Sequence, residues 1–171
     1  MFIKHLLFAL MLTLLMGCEE DLLPSNDPLE NKESIQTGST IEDLSFTLSD
    51  ANEETLSNLL TTHDAVVLYF TMWCPICDSH MSHFRSELKP EFSNVKFLFV
   101  DYVSGSVAYS RDAQTAAGYT DFDVIADSND ELENYFNGTM ATTVVIDKNL
   151  IVQYKGIFKT TNEVHEVLDQ L

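Results

Sequence analysis

The stretch AVVLYFTMWCPIC (residues 65–77) determines how the surrounding chain can fold. It begins with six apolar residues rich in β-branched and aromatic side chains, a run typical of a central strand buried on both faces. The two cysteines follow closely, and residues 78–88 then carry apolar side chains at helical spacing. A Cys-x-x-Cys pair at a strand-to-helix junction can close a small disulfide ring, and the unpaired N–H groups of the helix start favour a thiolate there.

Strand-like and helix-like segments alternate on both sides of this stretch. Residues 41–48 partly alternate between apolar and polar side chains, and a return strand that begins at Thr55 completes a leading β-hairpin. We expect the helix after the cysteines to end at Lys89-Pro90. The chain then continues as strand 95–100, helix 107–117, strand 122–126, helix 130–136, strands 142–146 and 150–154, and a final helix over 160–171. This order predicts an α/β fold: a central mixed, mostly parallel β-sheet with helices on both faces and an N-terminal β-hairpin.

The composition is that of a folded and strongly acidic protein. The 171 residues are 45% hydrophobic, which is enough for one packed domain. The 27 acidic residues outnumber the 9 basic ones and give a net charge of −18. This balance argues against a nucleic-acid partner, because a phosphate backbone requires a basic surface. We interpret the acidity as a well-solvated surface.

The N-terminus has the pattern of a secretion signal. A short basic start is followed by an apolar run over residues 6–16, which is too short to span a bilayer comfortably. The run ends at Gly17-Cys18, a junction that resembles the bacterial lipobox, in which the cysteine is lipidated and becomes the mature N-terminus. An ordinary signal peptide or an uncleaved anchor is the alternative interpretation.

These patterns divide the chain into a lipoprotein signal peptide (1–17), a flexible tether (18–37) and a folded domain (38–171). The tether contains Pro24 and Pro28 and shows no sustained helical or strand periodicity. The division predicts an extracytoplasmic protein that is lipid-anchored through Cys18 to a bacterial membrane, on the periplasmic side or at the cell surface. Disulfides persist in that environment.

The folded domain resembles the thioredoxin-like proteins, and among them the membrane-tethered thiol-disulfide oxidoreductases of the TlpA/ResA and redoxin kind. The resemblance rests on WCPIC (73–77) after a buried strand, the leading hairpin, the insert-like segment 119–136, and TTVVID (142–147) followed by a hairpin. It implies a thioredoxin-like fold and a redox-active disulfide in place of any bound cofactor or metal. By this resemblance Cys74 attacks a substrate disulfide and Cys77 resolves the mixed disulfide. Pro75 begins the helix, and Trp73 shapes the surface beside the sulfur.

The same resemblance implies the partners. Substrates are disulfide-containing envelope proteins, and a membrane thiol carrier supplies electrons, so the protein acts as a reductant. We expect a monomer that contacts the membrane through its lipid alone.

Two positions depart from the family pattern. The family has a cis-proline just before strand 142–146, facing the cysteines, and Ala141 stands there instead. We expect a trans peptide bond before Ala141, because a cis bond before a residue other than proline costs about 3 kcal/mol. Thioredoxin also has a buried acid that helps to deprotonate the resolving cysteine, and the matching residue here is Leu68. Proton transfer from Cys77 therefore needs another group or water.

Three other functions are open to the same residues. Cys74 and Cys77, with a nearby histidine such as His80, could bind copper or zinc. However, Cys77, His80 and His83 drift around the helix at successive i+3 steps, so we interpret both histidines as surface residues. A non-catalytic binding module is a second alternative, which the intact cysteine pair disfavours. A peroxidase is the third, and Cys74 lacks the Pro-x-x-x-Thr-x-x-Cys setting of peroxiredoxins.

Overall fold

The computed structural model describes residues 35–171, which form an α/β domain. A hairpin of two short strands and a brief helix comes first, and helices alternate with the strands of the central sheet thereafter. The strands are β1 Ser45–Thr47, β2 Glu53–Thr55, β3 Ala65–Thr71, β4 Val95–Asp101, β5 Asp123–Ala126, β6 Thr142–Asp147 and β7 Val152–Ile157. The helices are α1 Leu56–Leu60, α2 Pro75–His83, α3 Lys89–Glu91, α4 Val107–Ala117, α5 Glu131–Phe136 and α6 Thr161–Leu168, and a π-helical segment, Phe84–Leu88, joins α2 to α3.

The central sheet has five strands in the order β5-β4-β3-β6-β7, with β3 in the middle. Strand β3 pairs in parallel with β4 and antiparallel with β6, while β4 and β5 are parallel and β6 and β7 antiparallel. The mixed sheet and the central place of β3 are as predicted. Parallel pairing accounts for two of the four contacts between strands, so the sheet is evenly mixed rather than mostly parallel. The reason is that β6, which lies beside the central strand β3, is antiparallel to it. Antiparallel pairing is therefore not confined to the edge strand β7.

The sheet separates two hydrophobic cores, one on each face. Because successive side chains of a strand point to opposite faces, Tyr69 lies in one core and its neighbour Leu68 in the other. The first core is covered by α2, the π-helical segment and α6, and it contains Cys77. The second core is covered by α1, α5 and the β1–β2 hairpin. The predicted arrangement of helices on both faces is confirmed.

The helix after the cysteines begins at Pro75, as the resemblance implies, but it ends differently from the prediction. It continues through the π-helical segment into α3, past Lys89-Pro90. Pro90 stands in the first turn of α3, where the backbone leaves the π-helical pattern of hydrogen bonds. Helix α4, in contrast, ends at Gly118 as predicted, with that glycine in a left-handed conformation.

The signal segment, Cys18 and most of the tether lie outside the described residues. Residues 35–37, which the sequence assigns to the tether, contact β7: Lys155 donates from its backbone N–H to Thr37 Oγ1 and from Nζ to the carbonyl of Ile35. Gly38 extends this contact by donating to the Val152 carbonyl. Within residues 35–171, no helix combines the length and the apolar character needed to cross a membrane.

Candidate active site

The two cysteines lie at the start of α2, immediately beyond the carboxyl end of β3. Trp73 makes the turn between strand and helix with a φ of +56°, in the left-handed region, and its N–H donates to Thr71 Oγ1 at 3.2 Å. Cys74 is the N-cap residue, and Pro75 is the first residue of the helix. Proline suits that position because its φ is preset for the helix and its missing N–H would have no partner there.

Cys74 and Cys77 are free thiols whose sulfurs are 2.8 Å apart. Cys74 is partly exposed, and its Sγ accepts a hydrogen bond from the backbone N–H of Cys77 at 3.2 Å. Cys77, which belongs to α2, is fully buried. Ile76, between them, is 55% exposed. One cysteine is therefore partly accessible from solvent and the other is buried beside it, which is the arrangement that attack followed by resolution requires.

The environment of Cys77 favours its thiolate. Burial raises the pKa of this thiol, but hydrogen bonds outweigh burial and hold the pKa below its ordinary value. The strongest hydrogen bond comes from the Cys74 thiol, and others come from the backbone at Met72 and Cys74 and from the hydroxyl of Thr71. The negative charge formed when the pair loses its first proton is thus shared between two close sulfurs.

Met140 and Ala141 complete the site from the opposite side. The Cys74 thiol donates to Met140 Sδ at 3.5 Å, and Ala141 is buried in the core that contains Cys77. No cis peptide bond occurs among residues 35–171, so the expected trans bond before Ala141 is confirmed. Ala141 has a φ of +67°, and its N–H donates to the Phe70 carbonyl at 3.0 Å. This backbone conformation is one that a proline, whose φ is fixed at about −65°, could not adopt.

Restoring the family's proline should therefore destabilise this protein. Ala141→Pro removes the N–H that donates to Phe70 and forces φ away from +67°, so we expect a loss of about 3 kcal/mol in the free energy of unfolding. Ala141→Gly is the matched control, since glycine accepts a positive φ, and its stability should stay within about 1 kcal/mol of the parent. Urea unfolding midpoints measure both changes. A proline variant as stable as the parent would show that this segment takes another conformation.

Leu68 does not face the cysteines, whereas Tyr69 does. The side chain of Leu68 is buried in the core on the other face of the sheet, and the side chain of Tyr69 shares a core with Cys77. The Tyr69 hydroxyl is 3.0 Å from His80 Nδ1, so His80 is a partly buried residue bound to the core. His80 is thus partly exposed, and it also contacts the core through Tyr69. His83 is exposed, as expected, and its Nδ1 contacts Glu87 at 2.7 Å.

Metal-binding residues do not converge on the site. Within the described part of the chain, no group of three or more His, Cys, Asp or Glu side chains is placed to hold a metal ion. Cys74 and Cys77 have Met140 beside them, and His80 is engaged with Tyr69.

Sequence reasoning missed three residues of the site: Thr71, Tyr69 and Met140. Strand alternation could have placed Thr71 and Tyr69 on one face of β3. Nothing in the sequence pattern marked the contact of Met140 with Cys74, because it joins residues 66 positions apart.

Comparison with known proteins agrees with this geometry. The family model described as Redoxin matches residues 36–171. Among solved structures, the peroxidoxin BcpB from Mycobacterium tuberculosis is 22% identical, with a TM-score of 0.64 over 79% of this chain and 95% of that chain. The exposed lipoprotein thioredoxin Etrx1 from Streptococcus pneumoniae is 20% identical, with a TM-score of 0.62 over 76% and 100%. DsbF from M. tuberculosis is 18% identical, with a TM-score of 0.59 over 74% and 93%. These likenesses confirm the thioredoxin-like fold, and a search of curated proteins found no match.

Proposed function

Because the chain belongs to the Redoxin family, a family of thioredoxin-like redox enzymes, we propose that it is an extracytoplasmic, lipid-anchored thiol-disulfide oxidoreductase that reduces disulfides of envelope proteins. The observation that carries the proposal is the pair of free thiols at the start of α2, with sulfurs 2.8 Å apart, one accessible and one buried. Pairs of this kind exchange electrons with disulfides through a mixed-disulfide intermediate.

The reaction proceeds in two thiol–disulfide exchanges. The Cys74 thiolate attacks one sulfur of the substrate disulfide, the substrate S–S bond breaks, and the departing sulfur takes up a proton. The thiolate of Cys77 then attacks Cys74 Sγ, the bond between Cys74 and the substrate breaks, and the second substrate thiol leaves. The substrate disulfide gains two electrons, which the Cys74–Cys77 pair loses. A thiol donor reduces the new disulfide and resets the enzyme.

Exposed apolar side chains near Cys74 support a polypeptide substrate. Met72 and Ile76, each two residues from Cys74 in the chain, are 43% and 55% exposed. A protein loop that carries a disulfide can bury this surface as it binds, which contributes free energy in proportion to the apolar area removed from water. This supports a protein disulfide as the substrate.

The membrane anchor is proposed from Cys18 and the apolar run before it. Cys18→Ala should abolish metabolic labelling of the protein by palmitate, because the variant lacks the sulfur that carries the lipid. The measurement compares labelled parent and variant in a bacterial host after membrane fractionation. Labelling of the variant at the parent level would disprove lipidation at Cys18 and leave the redox proposal intact.

Turnover of protein disulfides tests the enzymatic proposal. The full-length protein is mixed with an oxidised disulfide protein and a thiol donor, and the reduced product is counted by alkylation. We expect reduction well above the rate of the donor alone and no comparable consumption of hydrogen peroxide. Peroxide consumption in place of disulfide turnover would indicate a peroxidase. Sub-nanomolar binding of Cu(I) through both cysteines, without turnover, would indicate a metal-binding protein, and the absence of all three activities would indicate a binding module.

A further inference from the structure

Resolution of the mixed disulfide requires that the buried Cys77 thiol lose its proton. In the mixed disulfide Cys74 carries the substrate, so it no longer has a thiol to donate, and the strongest of the hydrogen bonds that favour the Cys77 thiolate is lost. Burial, which opposes the thiolate, remains. Leu68 has no carboxylate, and its side chain lies on the other face of the sheet. The chain needs a different acceptor for this proton.

We propose that Tyr69 and His80 relay the proton of the Cys77 thiol to solvent while the mixed disulfide is resolved, an inference that rests on the proposed function. The Tyr69 hydroxyl is 3.0 Å from His80 Nδ1. Tyr69 lies in the same core as Cys77, and a hydrogen bond between the two side chains contributes to the raised pKa of Tyr69. Tyr69 is thus a neighbour of both the buried sulfur and the imidazole, and His80 follows Cys77 by about one turn of α2.

The surrounding rings hold this arrangement in place. Tyr69 is fully buried, and its ring contacts those of Phe84 and Phe99 with centroids 5.2 and 5.8 Å apart. His80 packs against Phe158 with ring centroids 4.9 Å apart. His80 itself is partly exposed, so a proton accepted on its ring can pass on to water. The relay thus connects a fully buried sulfur to solvent by a fixed path.

The pKa shifts of His80 and Tyr69 agree with their roles in the relay. Burial lowers the pKa of His80, and the nearby charge of His83 lowers it further, so His80 is neutral at pH 7 and can accept a proton at Nδ1. Burial strongly raises the pKa of Tyr69, as do the charge of Cys77 and a hydrogen bond to it. Tyr69 therefore does not ionise by itself. Its oxygen takes up the proton of Cys77 while its hydroxyl proton passes to His80. The other charges that act on Tyr69 come from Cys74 and, beyond β4, from Tyr102.

The proton of Cys77 reaches His80 in one concerted transfer through Tyr69. Cys77 S–H gives its proton to the Tyr69 oxygen while Tyr69 O–H gives its own to His80 Nδ1. The Cys77 sulfur attacks Cys74 Sγ, and the electron pair of the broken S–S bond leaves with the substrate sulfur. His80 then releases its proton to water, and the substrate thiolate takes one up.

The other polar groups near Cys77 offer no comparable path. The Thr71 hydroxyl, which also contacts Cys77, donates to Met81 Sδ at 3.4 Å and leads to no titratable group. Asp101 is buried and lies opposite Thr71 in the register of the parallel strands β3 and β4. Its Oδ1 accepts the N–H groups of Val103 and Ser104, and its Oδ2 has no hydrogen-bond partner, so no chain of hydrogen bonds joins it to Cys77.

Reaction with dithiobis(nitrobenzoate), in full-length protein that carries Cys18→Ala and so keeps only the two site cysteines, separates the two steps, because each releases one coloured aromatic thiolate. The first phase reports attack by Cys74, and the second reports resolution by Cys77. In full-length Tyr69→Phe, which keeps the ring, we expect an unchanged first phase and a second phase about 100-fold slower at pH 7, the low end of what a positioned acid–base group contributes. His80→Gln should behave in the same way, since glutamine can accept the Tyr69 hydroxyl but cannot take its proton. His165→Gln is the matched control, because this histidine of α6 contacts Glu91 and Asp169 instead of the relay residues, and it should leave both phases unchanged.

The pH dependence distinguishes a relay from a packing effect. In Tyr69→Phe the second phase should accelerate by about tenfold per pH unit until Cys77 ionises without help, because only the thiolate attacks. Its deficit relative to the parent should therefore shrink as pH rises, and the double variant Tyr69→Phe/His80→Gln should be no slower than either single one.

A parent-like second phase in both single variants, or a deficit that is equal at every pH, would overturn the relay. Slow resolution in Asp101→Asn but not in Tyr69→Phe would also overturn it and assign the proton to Asp101. If the parent shows both phases but no turnover of protein disulfides, the proposed function fails and the relay stands.

Discussion

Replacing Cys74 by serine should abolish disulfide reduction by this protein. Cys74 is the accessible member of the pair, and its sulfur is the atom that a substrate disulfide can reach. A serine hydroxyl stays protonated and does not attack disulfides, so we expect turnover of an oxidised substrate protein to fall at least about a thousandfold, to the rate of the thiol donor alone. Alkylation of the reduced product measures the loss.

The change should affect chemistry and leave the fold intact. Serine is a strong N-cap residue and can accept the same N–H of Cys77 that Cys74 Sγ accepts, so the urea midpoint should stay close to that of the parent. Cys18→Ala is the matched control, because it removes the cysteine that the proposed exchange does not use and should keep full turnover. If Cys74→Ser also retains full turnover, Cys74 is not the attacking thiol.

Replacing Cys77 by serine should stop turnover at a different point. Attack by Cys74 remains possible, but no thiol is left behind it to release the product, so a covalent complex with the substrate protein should accumulate. We expect close to one substrate per enzyme, linked through Cys74 and released by dithiothreitol. Mass spectrometry of the non-reduced mixture identifies the adduct.

Two controls support this interpretation. Because Cys77 is fully buried, Cys77→Ala tests whether the serine hydroxyl disturbs the core, and it should trap the same adduct. The double variant Cys74→Ser/Cys77→Ser should form none. An adduct on Cys77 in Cys74→Ser that is as abundant as the adduct on Cys74 in Cys77→Ser would contradict the assignment of attacking and resolving roles.

The sequence was sufficient to predict the local elements around the site. The apolar run of β3 and the Cys-x-x-Cys pair with Pro75 lie within one short stretch, residues 65–77. Their structures therefore depend on local rules for strands and helix starts. Helix α4 and its end at Gly118 follow from the same local rules. The continuation of the helix past Pro90 was missed because it depends on the π-helical segment before it, which propensity alone does not reveal.

The parts of the site that depend on tertiary structure were not predicted. Family alignment drew attention to Leu68 as the position of a missing acid, but the pleat of β3 turns Leu68 away from Cys77 and Tyr69 toward it. The contact between the Tyr69 hydroxyl and His80 depends on how α2 is oriented on the sheet, which the sequence pattern does not reveal. Met140 likewise reaches Cys74 because β6 runs beside β3.

The most direct test of the central claim, that Cys74 and Cys77 form a reversible dithiol–disulfide couple, is a redox titration of the full-length protein in thiol buffers of defined potential, read by alkylation and mass. We predict one two-electron transition at a potential between about −270 and −120 mV, with about 30 mV for each tenfold change in the ratio of oxidised to reduced protein. The transition should be absent from both Cys74→Ser and Cys77→Ser. A pair that stays fully reduced across this range, or a transition that survives in either variant, would contradict the account.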